Sequence, residues 1–590
     1  MMTTRKKRTL RICLVMALLG ASRTAHAGGF EIPDNGTEAL GRGGAFVAKA
    51  DDPTAIDYNP AGLAEQRGTR VLLDGHIINS SYTFKRFGAF PDNPSDPATP
   101  WGGFAFPGVR DTGGPFFAPF LAVTTDFGTL DWLTVAFGVF GPSGVGNRTY
   151  PAGIDTAPAA SRYDVVQPTS TIILPTLSVG VKPLDWLDVG VSLHLVDAIF
   201  DLSSTSFVDL GDGSAGPCKN YEYQPCDSLS SLHATATGFA ATPGVLVKPT
   251  RALSFGLSAR TPITLSANNG VVTVLNAPLG QPIPTPGHAT LTTALPWYWR
   301  FGARYAFLEG DGFEAGDVEL DGTYETWGSA QATGPQIHID HLGPSGATFD
   351  NIDINVAHHY NDTFSIRAGG AYNTRLPVGV LTVRLGGYYD KSATADNPGY
   401  TRLDFDTLDK IAGTVGVGFK WKGFQFNVAY ADVFEPGRSV APGTGQIRPI
   451  DGAQHGAGLD SNGSPLPAVN EGQYAGHTDV FSFSVVAVFD EILGTPRSKT
   501  WGPKPAAASA PPKAEKVDEE PKKDAKAENK DDGKEDPEKT EDDRPAPPPP
   551  PKPKPGKARP GKSSASTPSV PATPPGAPSS PPAKKSDWND

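Results

Sequence analysis

The stretch Ile411-Ala412-Gly413-Thr414-Val415-Gly416-Val417-Gly418-Phe419-Lys420-Trp421 alternates without a break. Ile411, Val415, Val417, Phe419 and Trp421 fall on one side, and Ala412, Thr414, Gly416, Gly418 and Lys420 on the other. A period of two marks a β-strand whose faces meet different surroundings. Phe481 to Phe489, Leu381 to Tyr389 and Leu187 to Asp197 repeat it, with one face apolar and the other polar. A soluble sandwich also alternates, but its turns are short at both ends.

Outward from these stretches the connections are unequal. Short turns fall at Gly128 to Asp131, Lys182 to Asp185, Lys248 to Arg251 and Lys420 to Gly423, whereas the intervening loops are long and polar. Leu130-Asp131-Trp132-Leu133 and Leu184-Asp185-Trp186-Leu187 each place a tryptophan where a strand begins, as an interfacial aromatic girdle requires. Unequal connections and boundary tryptophans predict an all-β fold, an antiparallel transmembrane β-barrel of the bacterial outer membrane. Fourteen strands are expected, at 69–87, 116–127, 131–140, 169–182, 186–202, 235–248, 252–270, 287–309, 314–329, 361–375, 379–390, 408–421, 422–434 and 478–489, and 350–359 could extend one of them. An even number brings both ends of the barrel, residues 67–489, to one side of the membrane.

The termini fit an exported protein. Arg5, Lys6, Lys7, Arg8 and Arg11 precede the apolar run Ile12 to Leu19 and a small-x-small site at Ala25-His26-Ala27, so residues 1–27 read as a signal peptide. Past it no run is long and apolar enough for a spanning helix. Cys218 and Cys226 remain, close together in a Gly-, Asp- and Ser-rich loop, and are expected to form a disulfide. Residues 28–489 hold 26 basic against 45 acidic side chains, which argues against nucleic acid as a partner. Residues 490–590 lose all periodicity. Their Lys/Glu-rich and Pro-rich composition predicts a disordered periplasmic tail without a packed core, whose functional reading is a tether towards peptidoglycan.

One segment fits neither strand nor tail. Gly41-Arg42-Gly43-Gly44-Ala45-Phe46 through Asp57-Tyr58-Asn59-Pro60-Ala61-Gly62 combines glycines and prolines into a tightly turned piece. A fourteen-stranded wall is too wide for its own side chains to fill, so residues 28–66 are expected to plug the lumen as an N-terminal hatch.

Plug and barrel together resemble the FadL/TodX family of outer-membrane transporters of long-chain fatty acids and other hydrophobic compounds. The residues that carry the resemblance are Gly28-Gly29-Phe30, Ala39-Leu40-Gly41-Arg42-Gly43-Gly44-Ala45-Phe46, Ala50-Asp51-Asp52 and Asp57-Tyr58-Asn59-Pro60-Ala61-Gly62-Leu63. The resemblance implies passive transport: capture at extracellular loops, passage to a lumenal pocket at the hatch, and lateral exit where the third strand kinks. It implies that Gly28, Phe30 and Gly43 approach the ligand, that Asn59, Pro60 and Ala61 form the hatch turn, and that Gly138, Gly141 and Pro142 mark the lateral opening. Outer-membrane lipid and the barrel assembly machinery are the implied partners, with the chain a monomer. Burial of about 0.8 kcal/mol per methylene makes a water-filled pore a poor conduit for such ligands.

Other chemistry has little support. Gly41-Arg42-Gly43-Gly44 lacks the third glycine and the βαβ setting of a dinucleotide loop, and Gly141-Pro142-Ser143-Gly144-Val145 is one residue short of a nucleophile elbow. No catalytic residue, cofactor or metal is expected. His338, Asp340 and His341, or His358 with His359, read as solvated loop residues before metal ligands, and His194 and Arg384 as partners of lumenal acids or of the plug before carboxylate binders. The alternative function is a structural or adhesive barrel tethered by its tail, with a sealed wall.

Overall fold

The computed structural model describes residues 35–141, 148–152, 157–207, 222–277, 283–343, 352–449 and 465–494. The expected signal peptide and nearly all of the expected tail lie outside them. Fourteen antiparallel strands close into a barrel. They are β1 (Arg70–Arg86), β2 (Phe116–Thr125), β3 (Leu133–Phe140), β4 (Gln167–Leu184), β5 (Leu187–Phe207), β6 (Asp227–Val247), β7 (Leu253–Arg260 with Ile263–Val274) and β8 (Gly287–Leu295 with Tyr298–Leu308). The circuit continues through β9 (Glu314–Glu325), β10 (Thr363–Leu376), β11 (Gly379–Asp390), β12 (Lys410–Trp421), β13 (Phe424–Val440) and β14 (Gly472–Val488). Full-length pairing of β1 with β14, from Arg70 opposite Val488 to Arg86 opposite Gly472, closes the wall and leaves no free sheet edge there.

Alternation sets the two faces. Leu73, Ile77, Phe117, Leu121, Leu177, Leu193, Phe239, Leu257, Val318, Leu385, Val417, Val428 and Phe483 point outward and are exposed, forming an apolar band that suits lipid. Trp132, Trp186 and Trp421 are also exposed, where strands meet the short turns. The β12–β13 connection is a two-residue turn. Trp421 pairs with Phe424, and Lys422 and Gly423 both take positive φ (44° and 81°), which matches the right-handed twist of the flanking strands.

Several details depart from the alternation reading. The strands rise further at the long-loop end, to Phe207 in β5, from Asp227 in β6 and from Gly472 in β14, because Ser- and Thr-rich stretches keep the ladder where hydrophobic contrast is gone. Pro262 and Pro296 cannot donate to a ladder, and β7 and β8 are each interrupted there. The ninth strand stops at Glu325 and turns into a short helix, Trp327–Ala330, whose Trp327 is buried. The 350–359 stretch contributes Ile352–Asn355, which pairs with Gln336–Asp340, and that strand in turn pairs with β8. At the other end, Phe489 opens a short helix rather than closing β14.

Residues 35–66 occupy the lumen at the short-turn end as three single turns: Thr37–Leu40, Ala55–Tyr58 and a 3-10 turn Pro60–Glu65. Nearly every residue of the segment is buried. Inward-facing wall glycines allow the close fit. Gly190 and Gly244 lie against Asn59 and Pro60, Gly256 against Val47, and Gly369 and Gly386 against Arg42, so tightly that a Cβ on any of them would collide with the plug. Gly190→Val is therefore expected to cost about 1–3 kcal/mol of overpacking, dislodging the plug and not the wall. The check is ion conductance in planar bilayers: it should rise while the protein keeps its heat-modifiable mobility on gels.

Candidate functional site

The plug has no sheet to satisfy its backbone, and side chains of the wall do so instead. On β9, Asp321 accepts from the Phe46 and Val47 amides at 2.8 and 3.0 Å, and Glu319 accepts from the Ala48 amide at 2.6 Å. Arg42 completes the set: its guanidinium lies 3.0 Å from Asp317 and 3.1 Å from Glu319, with all three side chains fully buried. Such charges are tolerable only when paired. The other flank is held by Thr37, whose amide and hydroxyl donate to Asp74 at 2.7 and 2.8 Å, and by Arg300, which donates to the Asp57 carbonyl at 2.8 Å.

The residues singled out in sequence do not gather at one place. Asn59, Pro60 and Ala61 lie together in the plug, where the Asn59 amide donates to the Val47 and Val245 carbonyls and its oxygen accepts from the Ala61 amide. Gly43 is buried with φ 68° against Gly387 of β11, so it packs the plug on the wall. Gly28, Phe30 and Pro142 lie outside the described residues. Cys226 is disulfide-bonded, and Cys218 lies outside the described residues. Gly138 differs from the expected kink. It sits in an unbroken ladder between Ala122 and Thr176, and its lack of a side chain makes room for Ile56 of the plug. The irregularity lies further on, at Gly141, whose carbonyl accepts from the Asn35 side chain at 3.2 Å.

His194 and Arg384 take structural partners. His194 bonds to Thr176 and Thr242 at 2.8 Å each, and Arg384 pairs with Glu38 of the plug at 2.9 Å. His338 faces Asp340 and Asp353, and His359 stacks on Tyr400, away from its neighbour His358. His358 instead lies within 4.8 Å of Asp404 and Asp406, a grouping that sequence spacing did not suggest because it joins two loops.

Above the plug the lumen turns apolar. A slot of about 40 Å³ is lined by Ile172, Phe200, Leu265, Leu291 and Leu295 of the wall, with Gln331, His358 and Tyr360 from the loop between β9 and β10. A second space of about 120 Å³ lies towards the loops, and Leu202, Pro335 and Phe405 line both. Three loops converge beside it. Arg402 lies 3.1 Å from Asp164 and 3.3 Å from Asp404, His358 donates to Asp404 at 3.0 Å, and Arg148 donates to the carbonyls of Leu403, Asp404 and Asp406. Burial opposes protonation of His358, but Asp404 overrides it and holds the imidazole above its ordinary value. Burial pushes the Asp164 carboxyl up to about 6 against the pull of Arg402.

Among the described residues, the wall beside the slot is incomplete. Pairs between β3 and its neighbours stop at Phe140, opposite Phe120 of β2 and Leu174 of β4. Among the described residues, Phe116 to Pro119 therefore pair only with β1, and Gln167 to Ile173 only with β5. Ser170 and Ile172, which line the slot, come from that half-paired stretch of β4. A notch thus lies next to an apolar cavity, in a wall whose neighbouring Phe117, Leu121, Phe137 and Leu177 face lipid.

A closed fourteen-stranded barrel with a lumenal plug and an apolar cavity defines an outer-membrane transport channel. The chain belongs to the family described as outer membrane protein transport protein (OMPP1/FadL/TodX), whose pattern matches residues 18–450. This is a family of transporters of hydrophobic compounds. Among solved structures, a Pseudomonas aeruginosa FadL homologue superposes with a TM-score of 0.59 at 17% identity over 78% of this chain and 100% of its own. The Pseudomonas putida toluene transporter TodX gives 0.53 at 14% identity over 79% and 99%, and the Ralstonia pickettii toluene transporter TbuX 0.51 at 16% over 77% and 99%. At these identities the likeness shows the fold. No curated protein matches the sequence.

Two outcomes test the anchors. Arg42→Met strands Glu319, while Asp317 keeps Arg304 at 2.6 Å, and should cost roughly 3–5 kcal/mol, read as a lower unfolding midpoint, and adding Glu319→Gln should restore most of it. The raised imidazole of His358 contributes stability that is complete below its ordinary value of 6.5 and lost as pH climbs through the raised one. The midpoint of the native chain should accordingly fall with pH above about 6.5, and His358→Gln should flatten that fall.

Proposed function

We propose that the barrel carries hydrophobic molecules, long-chain fatty acids or other apolar compounds, passively across the outer membrane. Molecules enter from the long-loop, extracellular side into the outer space, move past Phe405 into the slot above the hatch, and leave sideways through the notch beyond Phe140. The observation that carries this reading is that the slot is lined by Ser170 and Ile172, from the part of β4 that has no β3 partner among the described residues. A route straight down would have to displace the plug against its buried ion pairs and hydrogen bonds. A sideways step passes an apolar solute from one apolar setting to another, without the re-exposure to water that would cost about 0.8 kcal/mol per methylene. The hatch residues Asn59, Pro60 and Ala61 serve as the floor of the pathway, and Asn35, bonded to both Asp57 and the Gly141 carbonyl, ties that floor to the rim of the notch. A sealed adhesive barrel would need neither the cavity nor the interrupted wall.

The test is uptake of labelled oleate and labelled toluene into liposomes containing the full chain. Uptake well above that of protein-free vesicles is expected for at least one of them. Ser170→Trp, which fills the slot beside the notch, should lower it at least tenfold in a barrel that remains heat-modifiable. Rates equal to protein-free vesicles for both solutes would sink the proposal.

A further inference from the structure

The slot carries polar atoms that an all-hydrocarbon ligand would leave unused, and Gln331 supplies the clearest of them. Gln331 follows the short helix Trp327–Ala330, lines the slot and is 3% exposed. Its amide nitrogen donates to the Thr293 hydroxyl at 3.0 Å and to the Ala294 carbonyl. The carbonyl of Ala294 can only accept, which fixes the nitrogen on that side and leaves the oxygen as the other terminal atom. That oxygen, Oε1, is buried and has no hydrogen-bond partner. A buried acceptor without a donor is costly, and of the unpartnered polar atoms that line this mostly apolar slot, His358 Nδ1, Tyr360 Oη and Gln331 Oε1, only the last is restricted to accepting, so it points to a donor supplied from outside the chain.

Charge narrows what that donor can belong to. Among the described residues, no lysine or arginine lines the slot. The buried arginines nearby are already engaged: Arg300 with Asp57, Arg367 with Asp390, Arg384 with Glu38, and Arg402 with both Asp164 and Asp404. His358 is the one basic side chain lining the slot, and its Nε2 is already paired with Asp404 while its Nδ1 is buried without a partner; Asp404 and Asp406 stand behind it, so an anionic head would have to share that imidazole with two carboxylates. A carboxylate is disfavoured on both counts.

We infer that the slot selects neutral amphiphiles with an apolar body and one hydroxyl donor, such as phenols and alcohols, the hydroxyl donating to Gln331 Oε1. The inference rests on the proposed transport function and names its substrate class. The two spaces together approach the roughly 150 Å³ that holds a benzene ring in an engineered apolar cavity, so a single substituted ring is the natural size of probe.

The experiment is isothermal titration of the detergent-solubilised full chain at pH 7.5 with p-cresol, toluene and p-toluate, each corrected against empty micelles. These differ in one group: hydroxyl, nothing and carboxylate. The expected result is p-cresol binding about tenfold more tightly than toluene, and p-toluate binding most weakly. Gln331→Leu should erase the p-cresol advantage while changing toluene affinity by less than twofold. Gln331→Met serves the same purpose should the leucine variant fail to fold, and the wild-type ranking needs no variant at all. p-Cresol binding no tighter than toluene, or p-toluate matching p-cresol, would overturn the inference while toluene binding and liposome uptake left the transport reading standing. Loss of both binding and uptake for every solute would overturn that reading as well.

Discussion

Everything inside this barrel depends on satisfying an irregular backbone without water. Residues 45–49 form neither helix nor ladder, and their amides are buried. Three carboxylates on one strand, Asp317, Glu319 and Asp321, meet that demand by accepting from successive plug amides and from Arg42. Three acids two residues apart on one strand face would repel one another in isolation. They are stable here because the plug supplies a guanidinium and four N–H groups to the same short column. Plug and β9 are thus complementary in charge, and neither is a reasonable structure without the other.

That complementarity determines where a solute can go. The plug fills the short-turn half of the lumen down to contact with wall glycines, so a channel along the barrel axis would require its removal. The long-loop half is built differently, with Ile172, Phe200, Leu265 and Leu291 turned inward around open space. The boundary between the two halves falls at the level of Phe140, where β3 loses its partners. Floor and cavity, and the proposed side exit between them, follow from one division of the barrel into a polar, filled end and an apolar, hollow one.

The wall was legible in the sequence because period-two alternation survives wherever one face meets lipid and the other a polar interior, as in Ile411 to Trp421. Alternation is uninformative where both faces are apolar. Ile172-Ile173-Leu174 and Val271-Val272 put hydrophobic side chains on the lipid side and the cavity side alike, and this is the signature by which the slot could have been located. The plug was recognisable from its glycines and prolines. Its anchors were not, since nothing in the spacing of Asp317, Glu319 and Asp321 reveals that their partner lies about 270 residues away. Gly138 shows the limit of reading glycine in a strand. A missing side chain can permit a bend or permit a neighbour, and here it admits Ile56. Gln331 and His358 came from loops without periodicity, where only coordinates bring such residues to one cavity.

The shortness of β3 has a consequence for how barrels behave toward one another. Where it ends, β2 and β4 each present, among the described residues, a stretch of backbone with one side unpaired, and such margins invite strand addition from a neighbouring chain. Pro119 lies in the half-paired part of β2 and Pro168 in that of β4. Each lacks the donor that an incoming strand would need, and each resists the geometry of a longer ladder. A wall interrupted in this way can stay open without becoming a template for polymerisation.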